Sequence, residues 1–152
     1  MKALYAGSFD PFTIGHENIV IRSLKIFEEV VIAIGENEGK KSLWSVEDRV
    51  KYISERFEDF KNVKVCAYKG LTVDFAKKIG AGILVRGARS GLDFEVEKNL
   101  AEINKEISGM ETCILVTDPS LAYVSSSMVK ELLANGRDPG QYLGAPFPIS
   151  LK

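Results

Sequence analysis

The chain has 152 residues, 45% of them hydrophobic and 27% charged, and a formal net charge of −1; this predicts one domain over residues 1–152. So balanced a charge excludes a general electrostatic surface for nucleic acid or anionic membrane, and any anionic ligand must be held by a few cations placed locally. No apolar run reaches the roughly 20 residues of a membrane span, and the apolar start from Met1 breaks at Gly7-Ser8-Phe9-Asp10-Pro11 where a signal peptide would continue, so a soluble, cytoplasmic protein is expected.

Strand-like and helix-like segments alternate. Lys2 to Ala6 and Val30 to Ile34 read as short buried strands, and between them Val20, Leu24 and Phe27 share a helical face while Glu17, Arg22 and Lys25 turn to solvent. Ser45 with Asp48 resembles the N-cap and N3 positions of a helix carrying Val46, Val50, Ile53 and Phe57 at helical spacing. Further strands are expected at Val63 to Ala67, Ile83 to Val85 and Thr112 to Val116, with helices around Val73 to Lys78 and Leu92 to Ile107. Cys66 and Cys113 fall in these strands without CxxC or Cys/His spacing, which predicts two buried free thiols and no metal site. Five strands interleaved with helices imply an α/β fold with a doubly wound, mostly parallel five-stranded sheet. In such a sheet ligands bind beyond the carboxyl ends of the strands, so the loops there are where chemistry collects.

Four of those loops carry unusual residues. After the first strand, Gly7-Ser8-Phe9-Asp10-Pro11-Phe12-Thr13-Ile14-Gly15-His16 opens a helix whose N-terminal N–H groups and positive dipole end suit a phosphate. His16 is the one histidine in the chain. A lone histidine is commonly a surface or packing residue, but in Thr-x-Gly-His at a helix start its imidazole N–H faces the phosphate cradle. Lys40-Lys41 follows the second strand and reads either as a solvated basic pair or as a mobile charge for a phosphate. Arg86-Gly87-Ala88-Arg89 follows the fourth strand, and its guanidinium groups either fork onto phosphate or pair on the surface with Asp93 or Glu95. Ser125-Ser126-Ser127 opens a helix after the fifth strand; one of the three is an N-cap, and the others offer hydroxyls to an anion.

The Gly-Ser-Phe-Asp-Pro and Thr-x-Gly-His strings together resemble the first motif of the nucleotidyltransferase superfamily, and the string through His16 is most similar to bacterial phosphopantetheine adenylyltransferases. The similarity continues in Arg86-Gly87-Ala88-Arg89, in Asp93-Phe94-Glu95-Val96-Glu97 and in Val124-Ser125-Ser126-Ser127-Met128-Val129-Lys130-Glu131, where Val124 replaces the family's isoleucine. It implies a Rossmann-like nucleotidyltransferase fold and transfer of AMP from ATP to 4'-phosphopantetheine, giving dephospho-coenzyme A and pyrophosphate. By resemblance His16, Lys40 and Arg89 are catalytic. Ser8, Lys40, Leu71, Thr72 and Arg86 hold the acceptor, although Thr72 stands where some members carry methionine, and Ser8 where many carry threonine. The ATP site falls on Ser8, Phe9, His16, Gly87, Ala88, Arg89, Glu97, Leu121, Ala122, Tyr123, Val124, Ser125, Ser126 and Ser127. The family further implies Mg²⁺ carried mainly by the ATP phosphates, coenzyme A as a feedback ligand, and a homohexamer to which the apolar stretch Tyr142 to Leu151 could contribute a face.

Rival families leave marks that are missing here. The Ser-x-Thr-x-x-Arg element of nicotinamide mononucleotide adenylyltransferases, the Arg-Thr-x-Gly-Ile-Ser-Thr-Thr type of string of cytidylyltransferases and the Lys-Met-Ser-Lys-Ser loop of class I aminoacyl-tRNA synthetases do not occur. A non-catalytic nucleotide sensor on the same fold would have no need of His16, Lys40, Arg86 and Arg89 together.

Overall fold

The computed structural model describes residues 1–144. Five strands, β1 (Lys2–Gly7), β2 (Glu29–Gly35), β3 (Val63–Tyr68), β4 (Ile83–Ala88) and β5 (Thr112–Val116), form one sheet in the order β3-β2-β1-β4-β5. Every neighbouring pair is parallel. The crossovers are made by α1 (Ile14–Ser23), α2 (Val46–Arg56), α3 (Thr72–Lys78) and α4 (Gly91–Ser108), and β5 is followed by a 3₁₀ turn (Pro119–Leu121), α5 (Ser126–Ala134) and α6 (Gly140–Leu143). Chain order reverses between β1 and β4, and that switch point is where an open α/β sheet leaves a crevice.

Hydrophobic runs explain why the central strands sit where they do. β1 and β2 are covered on both faces and read as continuous apolar segments: Ala3 and Leu4 in β1, and Val30, Ile32, Ala33 and Ile34 in β2, are fully buried. One face packs against α1, α2 and the aromatic cluster of Phe12, Trp44, Tyr52 and Phe57; the other packs Leu4, Val31 and Leu84 against Val73 and Ala76 of α3. α4 differs. Its Leu92, Phe94, Val96, Leu100, Ile103 and Ile107 are exposed, and Glu97 is its one buried residue.

The structure adjusts several sequence expectations. α1 ends at Ser23 with Leu24 as its C-cap, so Phe27 reaches the core from the following turn and not from the helix face. Ser23 is the physical reason: its hydroxyl donates to the Ile19 carbonyl at 2.7 Å, a side-chain competitor for the backbone ladder near the helix end. At α2 only half of the expected capping pattern forms, with the Ser45 hydroxyl accepting from the Asp48 N–H at 3.1 Å. The two cysteines are free but half-buried, because the strands that carry them, β3 and β5, are the sheet edges. The apolar stretch from Tyr142 to Leu151 lies, from residue 145 onward, outside the described residues; within it, Leu143 is buried and its carbonyl accepts from the Tyr52 hydroxyl at 2.9 Å.

Candidate active site

A cleft of about 290 Å³ opens at the switch point. Its walls come from four loop regions: Ser8, Phe9 and His16 after β1, Arg86, Gly87 and Arg89 at the end of β4, Asp93 and Glu97 of α4, and Val124 to Ser127 before and into α5. The loops that are far apart in sequence thus converge because their strands are neighbours in the sheet.

The β1–α1 loop is built around Phe9, a non-glycine residue with φ of 45°. Its ring lies 5.1 Å from Tyr5, 5.3 Å from Phe12 and 5.1 Å from His16, all edge-on. A Cβ on Gly7 would stand 3.0 Å from the Phe9 ring, so glycine at position 7 is what lets that ring fold back over the strand. On β4, a Cβ at Gly87 would meet Ile19 of α1 at 3.1 Å, and its absence brings the α1 start up to the cleft.

His16 occupies position N3 of α1 and completes a capping box with Thr13, the reciprocal pattern that the sequence suggests at Ser45. The Thr13 N–H donates to His16 Nδ1 at 2.9 Å. An N–H donor on Nδ1 requires that nitrogen to be unprotonated, so the ring proton resides on Nε2. Burial, then the nearby Arg89 and Arg86 charges, lower the His16 pKa to about 4. At neutral pH the side chain is therefore a neutral Nε2–H donor with a fixed ring plane.

The two arginines face different carboxylates. Arg86 donates from Nε and Nη2 to Glu97 at 2.6 and 2.8 Å and from Nη1 to the Ala6 carbonyl at 2.6 Å. Arg89 pairs with Asp93 at 3.0 Å. Of the two pairings weighed from sequence, Asp93 is found; Glu95 gives way to Glu97, because α4 turns position 97 and not 95 inward. The Glu97 carboxylate also holds Arg86 firmly protonated, overriding the opposing effect of burial.

At α5 the three serines do three different things. Ser125 caps the helix by accepting from the Met128 N–H at 3.0 Å, and Ser126 donates to the Pro11 carbonyl at 2.7 Å. Ser127 lines the cleft, and its hydroxyl makes no hydrogen bond among the described residues.

Other expected site residues lie beside the cleft and not in it. Lys40 is exposed and borders an adjacent hollow with Ser8, Asp10, Arg49 and Lys130. Thr72 lines a third hollow together with Ser8, Gly70, Tyr68 and Arg86, and a fourth with Arg86, Leu100 and Asn104. Leu71 is exposed and lines none of these. Ala88 is buried and does not line the cleft, and of Leu121, Ala122, Tyr123 and Val124 only Val124 reaches the lining. Ser8 belongs to the main cleft and to two of the hollows, and Arg86 to the cleft and two hollows, so both stand at a junction of spaces. Asp10 and Arg49, which sequence inspection passed over, are buried charged residues at the base of this region. The Asp-Pro turn was visible as a motif, but nothing local announced that its carboxylate reaches across to another loop.

Residues 4–132 match the family model described as Cytidylyltransferase-like. The chain is 51% identical over 147 residues to the phosphopantetheine adenylyltransferase of Porphyromonas gingivalis, covering 97% of this chain and 96% of that protein. It is 47% identical over 137 residues to the enzyme of the same name from Flavobacterium psychrophilum, covering 90% and 91%. The chain belongs to the phosphopantetheine adenylyltransferase family. A solved bifunctional NMN adenylyltransferase/ADP ribose pyrophosphatase from Francisella tularensis, complexed with AMP and a manganese ion, superposes with a TM-score of 0.71 at 16% identity. That match covers 97% of this chain but 45% of the other, so this chain spans under half of that protein's length and the likeness carries the fold alone. The family model places the fold among nucleotidyltransferases, and the near-full-length relatives place the chain in the phosphopantetheine adenylyltransferase branch.

Proposed function

We propose that this member of the phosphopantetheine adenylyltransferase family transfers the adenylyl group of ATP to 4'-phosphopantetheine, releasing pyrophosphate and forming dephospho-coenzyme A for coenzyme A synthesis. The observation that carries it is the near-full-length identity of 51% to a relative of that name, joined to a cleft whose cations and N–H donors converge on one junction.

In this reaction an acceptor phosphate oxygen attacks the α-phosphorus in line while the bond from that phosphorus to the bridging oxygen of pyrophosphate breaks. The nucleophile is already anionic at neutral pH, so alignment and charge stabilisation are the protein's task. His16 Nε2–H serves the α-phosphate as a neutral donor, and Arg89 adds charge beside it. Ser127 and the α5 N-terminus, capped by Ser125, receive the leaving pyrophosphate. Ser8 and Arg86 line both the ATP cleft and the neighbouring hollow with Thr72, and Arg86 also borders the hollow with Asn104, an arrangement that suits a long flexible arm with a phosphate at one end. Lys40, with no ion pair among the described residues, swings a point charge toward the transferring phosphate.

The carboxylates at the cleft are committed to arginines, Glu97 to Arg86 and Asp93 to Arg89, and among the described residues no cluster of three or more His, Cys, Asp or Glu could hold a metal. In this reading Mg²⁺ would be held mainly by the nucleotide phosphates and would supply charge neutralisation for the leaving pyrophosphate. Glu97 then acts through Arg86, whose guanidinium it holds where the cleft meets the hollows. The exposed apolar row of α4 suits burial against further copies of the chain, and a homohexamer is the assembly we propose; light scattering at several concentrations checks it. No helix among the described residues is long and apolar enough to cross a membrane, and we place the enzyme in the cytoplasm, with coenzyme A as a feedback ligand of the acceptor site.

The deciding assay is pyrophosphate release from ATP with 4'-phosphopantetheine, with nicotinamide mononucleotide, and with pantetheine that lacks the phosphate. Release is expected with the first alone. Preference for nicotinamide mononucleotide would keep the nucleotidyltransferase assignment and overturn the acceptor.

A further inference from the structure

Asp10 is 3% exposed and both of its carboxylate oxygens are used. Oδ2 accepts from the Leu43 N–H at 2.7 Å and forms an ion pair with the Lys130 ammonium at 3.1 Å, and Oδ1 accepts from the Trp44 N–H at 3.0 Å. These three partners lie on two segments: Leu43 and Trp44 end the β2–α2 loop, while Lys130 belongs to α5, whose first residues line the ATP cleft. One carboxylate therefore ties the β1–α1 loop, the β2–α2 loop and α5 together.

The tie matters because of what the β2–α2 loop otherwise lacks. At its start, the Glu36 N–H is held by the Tyr68 carbonyl at 2.8 Å. From Asn37 to Ser42 the backbone N–H hydrogen bonds among the described residues are a turn at Asn37, whose carbonyl accepts from the Lys40 N–H and whose side chain accepts from the Gly39 N–H. Lys69, just past β3, pairs with Glu36 and Glu38 at 3.6 and 3.1 Å, and Lys40 has no ion pair among the described residues. Lys40 stands three residues before Leu43, a reach of at most about 10 Å of extended chain. The position of the Leu43 N–H thus sets where the Lys40 ammonium can go. A charged acceptor is required for this geometry, since two N–H groups and an ammonium converge on Asp10 and an amide in its place would turn a donor toward one of them.

We infer that Asp10, braced by Lys130, is a positioning residue that sets the reach of Lys40 toward the transferring phosphate and keys it to the α5 end of the nucleotide cleft. The inference rests on the role of Lys40 in the adenylyl transfer proposed above.

The test is a double-mutant cycle on the full chain, read by kcat and KM with ATP and 4'-phosphopantetheine, with ATP binding followed by calorimetry. Asp10→Asn should lower kcat about fivefold by misplacing Lys40 and leave the ATP Kd within about twofold, because the His16 side of the cleft is untouched. Lys40→Ala should lower kcat about tenfold or more, and in that background Asp10→Asn should add less than about twofold. Lys130→Met, at a side chain 40% exposed and thus tolerant of replacement, should lower kcat about threefold with the same dependence on Lys40, and Lys130→Arg should restore it. Effects of Asp10→Asn and Lys130→Met that multiply in full with that of Lys40→Ala would overturn the inference alone. Normal turnover in Lys40→Ala would overturn the role of Lys40 and the inference with it, whereas failure of the unmodified enzyme to use 4'-phosphopantetheine would overturn the proposed reaction first.

Discussion

The β1–α1 loop and the β2–α2 loop both lead to the reaction junction, yet they are built in opposite ways. In the first, Phe9, Asp10, Phe12 and Thr13 are buried, the rings interlock, and the histidine proton is placed by a backbone N–H. In the second, every residue from Glu38 to Leu43 is exposed, and the loop is held at its two ends and by an exposed Lys69–Glu38 pair. The contrast assigns different tasks. A preformed donor that need not reorganise is most useful where charge develops at the α-phosphate. A tethered, solvated lysine suits an acceptor that must enter and leave.

The largest effect expected from this contrast is at the rigid pole. His16→Ala removes a donor held in one tautomer and one ring plane, and should lower kcat on the order of 10²-fold or more while the ATP Kd stays within roughly tenfold. Steady-state kinetics beside ATP calorimetry measures both. Turnover within a few-fold of normal would mean that the interlocked rings of Tyr5, Phe9 and Phe12 exist to pack His16 and not to aim it.

A smaller, two-sided effect separates the nucleotide from the acceptor. Arg89 borders only the main cleft, whereas Arg86 also borders both hollows that carry Thr72. Arg89→Ala should therefore weaken ATP about tenfold and 4'-phosphopantetheine little, and Arg86→Ala the reverse, the loss of one charge-assisted contact in each case. Titration of both variants with both ligands gives the four affinities. Equal losses throughout would show that the cleft and the hollows are one site, and the contrast between poles would fail.

How much of this was legible in the chain follows from what is local. The sheet was readable because apolar runs such as Val30 to Ile34 need covering on both faces, and the residues proposed to face phosphate were readable because their motifs adjoin strand ends. The resemblance then named their ligands. Long-range partners were not legible. That Arg86 takes Glu97 in preference to Glu95 depends on the rotation of α4, and that Asp10 reaches Leu43 and Lys130 depends on three segments meeting at the switch point. Ala88 and Leu121 to Tyr123 adjoin lining residues in sequence without lining the cleft themselves.

The smallest effect concerns stability and tests the rigid loop without any ligand. His16 has a folded pKa of about 4, below its ordinary 6.5, chiefly because of burial. Above pH 6.5 the ring is neutral in both folded and unfolded chains, and folding takes up or releases no proton there. As pH falls from about 6.5 to about 4 the unfolded chain binds a proton that the folded one refuses, so stability declines, with a slope of at most about 1.4 kcal/mol per pH unit from this one group. Below about 4 both states are protonated and the decline from His16 stops. Carboxylates titrate toward the lower end of the same window, so the comparison that isolates the imidazole is with His16→Gln, which keeps a polar side chain and cannot take up the proton. Melting curves from pH 7.5 to 5 should show wild type losing a few degrees relative to its own neutral value while His16→Gln loses less. Parallel curves would mean that the ring titrates as freely as an exposed histidine, and the loop around Phe9 would then be open to water in the absence of nucleotide.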